Sequence, residues 1–457
     1  MTHRLHPSIL REYDIRGPVG DRLGPADARA VGRSFAARVR RAGGSSVAVG
    51  HDGRLSSPEL ETALVDGLTA GGVDVVRIGL GPTPMLYYAE AELGVDGGVQ
   101  VTGSHNPVGD NGFKLKLARR SFFGPDIQDL ARLAQTGDWT SGAGSVRDAE
   151  ACDAYVDRLL RDSCVAPFRV GWDAGNGAAG PVVERLAARL PGEHHLLHTA
   201  VDGRFPNHHP DPSVEANLAD LRRLVLDRGL DCGFAFDGDG DRIGAVDGLG
   251  RVVRADLLLA LLAEPVLREL PGACVIADVK SSAALFDRVR ELGGRGLMWK
   301  SGHSSIKSKM LDEDAPLAGE LSGHLFFAHR WYGFDDAQYA AVRLLEALSE
   351  SGRTLADLVD ALPRYRATPE LRFPVDPARR LAVVDEAVAR LQAEGAAIDR
   401  VDGVRVTTQD GWWLLRASNT EPLLVVRAEA RDDAALDRLM AQVDATLAAS
   451  GVDRPAD

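Results

Sequence analysis

Asp237-Gly-Asp-Gly-Asp-Arg242 is the stretch from which the chain is best read. Three carboxylates alternate with two glycines and end on an arginine. In an extended loop side chains repeat every second residue, so Asp237, Asp239 and Asp241 face one way. Three anionic groups at one point repel one another unless a cation lies between them. Oxygen ligands suit a hard ion: Mg²⁺, or else Ca²⁺ or Mn²⁺. The glycines let the chain turn tightly around it. An EF-hand loop beginning at Asp237 needs Gly at its sixth position and Glu at its twelfth. Those positions hold Arg242 and Gly248, so that reading fails. An acidic surface turn is the bland alternative. The flanks oppose it, because Gly233-Phe-Ala-Phe236 and Ile243-Gly-Ala-Val246 read as buried strands.

Around this loop lies a chain of 457 residues, too long for one ordinary core, and three or four domains are expected. Hydrophobic residues make up 45% and charged residues 26%, as in soluble globular proteins. A net charge of −13 argues against general nucleic-acid binding and against an anionic membrane surface. The apolar run Leu257 to Ala263 is too short to span a bilayer. No secretory h-region is visible at the N-terminus, and a cytoplasmic protein is expected. Cys152, Cys164, Cys232 and Cys274 lack CxxC spacing and read as reduced, mostly buried thiols.

Lysine is used sparingly: of 53 basic residues only Lys114, Lys116, Lys280, Lys300, Lys307 and Lys309 are lysine. Where arginine serves for generic charge, lysine persists where a compact or deprotonatable ammonium is needed. Chance clustering competes evenly with that reading at Lys116 and Lys309. Function is favoured at Lys114 and Lys280.

A strand, a polar Gly- or Ser-containing loop and a helix recur at Val47–Arg54, Val170–Gly177 and Val275–Ser282. Such alternation predicts α/β domains with parallel or mixed sheets. Pro363 and Pro369 bracket an expected linker, and a smaller α+β domain follows. Thr140 to Ser145 reads as a loop near the first boundary.

Other motifs carry chemistry. Thr102-Gly-Ser-His-Asn-Pro107 follows the strand-like Gly98-Val-Gln-Val101 and puts Ser104 at a strand end. On the hexapeptide alone, turn and function are level; beside a metal loop, function prevails. Neither a GxSxG elbow nor a GxxxxGK[ST] loop occurs, which disfavours acyl hydrolysis and a Walker-A nucleotide site. Asn111-Gly-Phe-Lys114 brings a lysine near Ser104; if buried or crowded by cations, it can lose its proton and act as a base. Arg416-Ala-Ser-Asn-Thr420 suits a phosphate, with a guanidinium fork and small donors. Gly319-Glu-Leu-Ser-Gly-His324 offers groups for sugar hydroxyls, and Lys300-Ser-Gly-His-Ser304 adds a cation and an imidazole. Tyr13-Asp-Ile-Arg-Gly17 places an arginine near the N-terminus.

In this order, TGSHNP, NGFK, DGDGDR, GELSGH and RASNTEP resemble the α-D-phosphohexomutase superfamily, most closely its bacterial phosphomannomutase/phosphoglucomutase members. The likeness runs from about Tyr13 to Arg427, and Ser322–Phe327 with Trp331–Asp336 resembles the mannose/glucose branch. It implies an α/β fold of four domains around a central cleft: three related domains with mixed sheets, over 1–150, 151–252 and 253–366, and a smaller α+β domain over 367–457. These would carry the phosphoserine, metal, sugar and phosphate loops in turn. It implies an isomerase that moves phosphate reversibly between positions 1 and 6 of mannose or glucose phosphates. Ser104 would carry the phosphoryl group, and Asp237, Asp239 and Asp241 would hold Mg²⁺ with a phosphoserine oxygen. Arg16, Lys114 and Arg242 would surround the transferring group, Lys114 as general acid/base, with His303 beside them. Tyr13, Lys280, His303, Glu320, Ser322 and His324 would line the sugar path. Arg416, Ser418, Asn419 and Thr420 would grip the distal phosphate. Glucose 1,6-bisphosphate is the implied activator and small hexose phosphates the partners. No nucleic acid or membrane is expected, and the chain is expected to be a monomer or weak oligomer. Phosphoglucosamine mutase, a metal-dependent sugar phosphatase and a non-catalytic sugar-phosphate binder are the competing readings.

Overall fold

In the computed structural model, residues 2–418 and 423–454 are described, and they form four sheets in chain order. The first runs Ile15–Pro18, Asp110–Leu117, Gly97–Val101, Ser46–His51, Asp74–Leu80, Val146–Asp148. Its inner strand Ser46–His51 pairs in parallel on both sides, while Gly97–Val101 and Asp110–Leu117 are antiparallel. The second sheet repeats this logic with Phe168–Asp173 parallel to Cys232–Phe236, which turns back antiparallel into Ile243–Asp247. The third has Cys274–Asp278 parallel to Leu317–Gly319, which turns back into Leu325–Phe327. The fourth sheet is antiparallel throughout and centres on Gly411–Ala417 and Leu423–Ala430.

Three of the sequence motifs occupy hairpin connections in this scheme, and a fourth begins on the strand Gly411–Ala417. Residues 102–109 join the antiparallel pair of the first sheet, 237–242 that of the second and 320–324 that of the third. The strand–loop–helix segments at Val47, Val170 and Val275 are the neighbouring parallel strands instead. An aspartate stands at or just after the end of each: Asp52, Asp173 and Asp278, all buried.

Apolar burial joins the first three domains. One core takes in Tyr87 and Tyr88, Tyr155, Trp172, Phe234 and Phe236, Leu258 to Ala263 and Tyr339 to Leu345. The helix Ala337–Ser351 runs through it, capped by the Asp336 carboxylate, which accepts from Tyr339 N at 2.9 Å. The fourth domain keeps its own core around Trp413, Leu415 and Val426. It docks on the third through buried arginines. Arg405 donates to the carbonyl of Val279 at 2.7 Å and stacks 3.6 Å from the Trp412 ring, and Arg427 donates to the carbonyl of Lys280.

Two expectations change. The segment between Pro363 and Pro369 is not a plain linker, since Arg366–Ala367 pairs with Leu423–Ala430 at the edge of the fourth sheet. Of the cysteines only Cys232 and Cys274 are buried; Cys152 is half-buried and Cys164 exposed. Among the described residues no helix is long and apolar enough to cross a membrane.

Candidate active site

A cleft of about 1030 Å³ opens where these three loops meet Arg416 and Ser418 of the fourth domain. Tyr13, Arg16, Ser104, Lys114, Arg242, Lys280, His303, Glu320, Ser322, His324, Arg416 and Ser418 line it. Asp237, Asp239 and Asp241 lie just behind, fully buried. Asn419 and Thr420 fall outside the described residues.

Ser104 is held in a strained pose. Its φ of +48° is left-handed, uncommon for a residue with a side chain. Three neighbours fix it. The Ser104 amide donates to Thr102 Oγ1 at 2.7 Å, and Thr102 Oγ1 donates to Asp52 Oδ2 at 2.8 Å. Arg54, wholly buried, donates to the carbonyls of Ser104 and Asn106 through one terminal nitrogen, at 2.7 and 2.6 Å. Its other terminal nitrogen reaches those of Pro107 and Asp110, at 2.6 and 2.9 Å. Ser104 Oγ then donates to Asp237 Oδ2 at 2.8 Å and lies 3.1 Å from His105 Nδ1.

The carboxylate loop is pinned from three sides. Thr83, opening the helix Thr83–Glu92, donates from its amide to the Asp239 carbonyl at 2.8 Å and from its hydroxyl to the Asp239 carboxylate. Gln338 Nε2 donates to the Gly240 carbonyl at 2.9 Å. A side chain at position 238 would meet the Ser104 carbonyl at 2.3 Å, so glycine is what lets the two loops touch. Gly240 has a φ of +71°, and a Cβ there would meet Pro82 at 2.8 Å.

These carboxylates fit a divalent cation. One oxygen from each lies within 4.8 Å of the others. Asp239 Oδ1 is buried without a hydrogen-bond partner, and Asp241 Oδ1 meets only His324 Nε2, at 3.3 Å. Burial, then the charges of Asp239 and Asp241, pushes the Asp237 carboxyl well above its usual range. A proton or a cation must relieve that crowding, and an all-oxygen set favours a hard ion.

Lys114 lies on the strand Asp110–Leu117 and donates to Asp239 Oδ2 at 2.7 Å and to Asp241. Burial opposes its charge, but Asp239 and Asp241 outweigh burial and raise its pKa. The sequence reading of a burial-depressed lysine is therefore reversed: its proton is held by the carboxylates. Arg16 bonds Asp14 and, at 2.9 Å, Asn106 Oδ1. Arg242 approaches His324 Nε2 to 3.4 Å.

On the sugar-loop side, Glu320 accepts from the Gly302 amide at 2.6 Å and from His324 Nδ1 at 2.9 Å. Both nitrogens of His324 thus face carboxylates. Burial works against its charge, yet Asp241 and Glu320 hold the proton and raise its pKa to about 9. His303 goes the other way. Burial, then Lys307 and His324, depress it well below its usual range, and Lys307 lies 3.3 Å from its Nδ1. Tyr13 donates to the Ser301 carbonyl at 2.8 Å.

Toward the fourth domain, Lys280 pairs with Glu370 at 2.9 Å and Arg416 with Asp402 at 3.0 Å. Asp402 also accepts from the Ser301 amide at 3.1 Å. The sequence reading passed over five residues that shape this site: Asp52, Arg54, His105, Glu370 and Asp402. His105 and the Asp52-Gly-Arg54 turn stood inside segments already singled out. Glu370 and Asp402 gave no local signal.

The comparisons with known proteins point one way. Four family models match in succession. Domains I, II and III of "Phosphoglucomutase/phosphomannomutase, alpha/beta/alpha" match residues 7–139, 153–250 and 254–365, and its "C-terminal domain" matches 370–446. A phosphomannomutase/phosphoglucomutase of Pseudomonas putida is 45% identical over 436 residues, 95% of this chain and 94% of that one. A phosphoglucomutase of Neisseria gonorrhoeae is 42% identical, with 96% of each chain covered. The crystal structure of a phosphoglucomutase/phosphomannomutase family protein from Burkholderia thailandensis superimposes with a TM-score of 0.94 at 44% identity, covering 99% of this chain and 100% of that one.

Proposed function

The chain belongs to the phosphoglucomutase/phosphomannomutase family of the α-D-phosphohexomutase superfamily, and on that premise we propose that it moves a phosphoryl group reversibly between positions 1 and 6 of mannose and glucose phosphates. One observation supports this most. A buried serine hydroxyl, bonded to a cation-binding carboxylate, shares one cleft with a separate cationic pole at Lys280 and Arg416. A phosphatase has use for the first pole only.

Phosphoryl transfer depends on positioning and charge stabilisation. Ser104 carries the phosphoryl group at rest. Arg16 and Arg242 hold its oxygens as they pass to the free hydroxyl of a bound hexose monophosphate. Lys114 gives the proton it holds to Ser104 Oγ as that oxygen leaves, and takes the proton the sugar hydroxyl loses as the new phosphate ester forms. Asp237, Asp239, Asp241 and a phosphoserine oxygen would hold a divalent cation, Mg²⁺ in this reading, which would supply positive charge beside the transferring group. With part of the charge of Asp239 and Asp241 taken up in this way, Lys114 would release its proton more readily. Glu320 and Ser322 orient the sugar hydroxyls, with Tyr13, His303 and His324 along the same wall. Arg416 and Ser418, with Asn419 and Thr420, grip the phosphate that is not reacting. The hexose 1,6-bisphosphate then turns end for end, and its other phosphate returns to Ser104. Glucose 1,6-bisphosphate serves as activator because it rephosphorylates Ser104. We read the protein as a cytoplasmic monomer or weak oligomer that needs neither nucleic acid nor membrane.

Turnover of mannose 1-phosphate, glucose 1-phosphate and glucosamine 1-phosphate, measured side by side, tests this. The first two should be converted faster than the third, without matching release of inorganic phosphate. Preference for the amino sugar would assign the phosphoglucosamine branch instead, and stoichiometric phosphate release would make the protein a phosphatase.

A further inference from the structure

Behind the carboxylate loop lies a second cluster with different donor chemistry. Phe168–Asp173 and Gly192–Leu197 are adjacent parallel strands, and ligand sites in such sheets gather at their carboxyl ends. Asp173 ends the first strand and His198 directly follows the second. His208 arrives from the long connection that follows. One donor atom from each of the three lies within 4.8 Å of the others. Asp173 is fully buried, while the side chains of His208 and His198 keep 14% and 16% exposure, enough for an ion to enter from solvent.

The hydrogen bonds around these rings are those of metal-ligating histidines. His208 Nδ1 lies 3.0 Å from the His209 carbonyl, which can only accept, so Nδ1 carries a hydrogen. His208 Nε2 lies 2.9 Å from Asp173 Oδ2, another acceptor. A neutral ring has no second hydrogen to offer there, so a proton or a cation must join the two atoms. His198 Nε2 faces Asp220 Oδ2 at 3.3 Å. A carbonyl or carboxylate on one nitrogen of a ring is the usual orienting partner of a histidine that binds metal.

We propose that Asp173, His198 and His208 form a second metal site, for a first-row transition dication of the Zn²⁺ type. Two imidazoles and one carboxylate select such an ion over Mg²⁺, which prefers the all-oxygen set of the catalytic loop. The site also has a mechanical route to that loop. The segment leaving Asp173 donates from the Ala178 amide to the Gly238 carbonyl at 3.0 Å. A filled site therefore braces the backbone that presents the catalytic carboxylates.

Co²⁺ titration of the chelator-treated full chain in excess Mg²⁺ tests this, with Co²⁺ standing in for Zn²⁺. The wild type should develop a visible ligand-field band that saturates at one equivalent and is displaced by Zn²⁺. His208→Ala and His198→Asn should weaken this binding by at least about 100-fold. Asparagine suits position 198, whose φ is +52°. Should His208→Ala fail to fold by circular dichroism, His198→Asn decides. Asp239→Asn should leave the band intact. No band in the wild type would mean a histidine–aspartate ion pair only and overturn the proposal. So would a band that survives His198→Asn, or one that disappears in Asp239→Asn, which would place the ion in the catalytic loop.

Discussion

Lys114 is clasped between Asp239 and Asp241, whose charges hold its proton. In the proposed mechanism it must both carry charge and exchange that proton. Arginine supplies the charge but not the release. We predict that Lys114→Arg retains less than a tenth of wild-type turnover in a coupled steady-state assay, a barrier increase of more than about 1.4 kcal/mol. Greater retention would end its general acid/base role. Scarcity of lysine flagged the right neighbourhood unevenly. Lys114 and Lys280 line the cleft, and Lys116 and Lys307 are buried beside the Tyr87 ring. Lys300 is exposed, and Lys309 pairs with Glu313 over Trp299. Residue type could locate ionic chemistry but not its sign of pKa shift, because the shift depends on partners far away in the chain. Arg54 shows the same limit. Its work is done on carbonyl groups, which every residue has, so nothing in the side-chain pattern advertised it.

The loops 102–109, 237–242 and 320–324 each close a hairpin beside a parallel pair, in the same place in their sheets. The sequence signal had located strand, loop and helix, and thus the parallel strands. The turning back of the next strand was not read from the sequence: the loop 237–242 carries Asp-Gly pairs, but it is longer than the two-residue turn that such pairs mark. The helix Ala337–Ser351 carries a testable consequence of its cap. Asp336 is fully buried, caps the helix, and accepts from Tyr155 Oη at 2.7 Å. Burial raises its pKa from 3.8 to about 7, against the helix amides and Tyr155 that lower it. Between those values the folded chain keeps a proton that the unfolded chain has lost. Stability from this group therefore falls as pH rises from about 4 to 7, and the cost is fully present above about 7. Asparagine caps helices equally well and does not titrate. We predict that Asp336→Asn gains stability over the wild type as pH is raised from about 4 to 8, by a few kcal/mol at most on the order of the pKa change. Denaturant midpoints at both pH values check this, and a difference that does not vary with pH would contradict it.

At the scale of the molecule, one apolar core reaches across three α/β domains, the first of which also has a separate core around Phe35 and Phe113, whereas the fourth keeps its own and docks through Arg405 and Arg427. The family motifs made the four-domain architecture legible from sequence. How the fourth domain reaches the cleft was not, because its contacts join Asp402 to Ser301 and Glu370 to Lys280 across long separations. Arg416 belongs to that docked domain, remote from Ser104 in the chain. In our account it holds the phosphate that is not reacting while the bisphosphate turns. Arg416→Ala should raise KM, lower kcat and make turnover depend more strongly on added glucose 1,6-bisphosphate, while phosphorylation of Ser104 persists. Unchanged kinetics on hexose 1-phosphates would remove the clamp from the mechanism.

The central claim is that phosphate on Ser104 is a working intermediate. Rapid-quench mass spectrometry follows it directly: the chain is first phosphorylated with glucose 1,6-bisphosphate carrying isotopically labelled phosphates, freed of excess reagent, and mixed with unlabelled glucose 1-phosphate. The account predicts one phosphoryl group on the peptide containing Ser104, none in Ser104→Ala, and its loss to the sugar at least as fast as steady-state turnover. Label that stays on Ser104 while hexose 6-phosphate accumulates, or full turnover with no phosphate on that peptide, would contradict it.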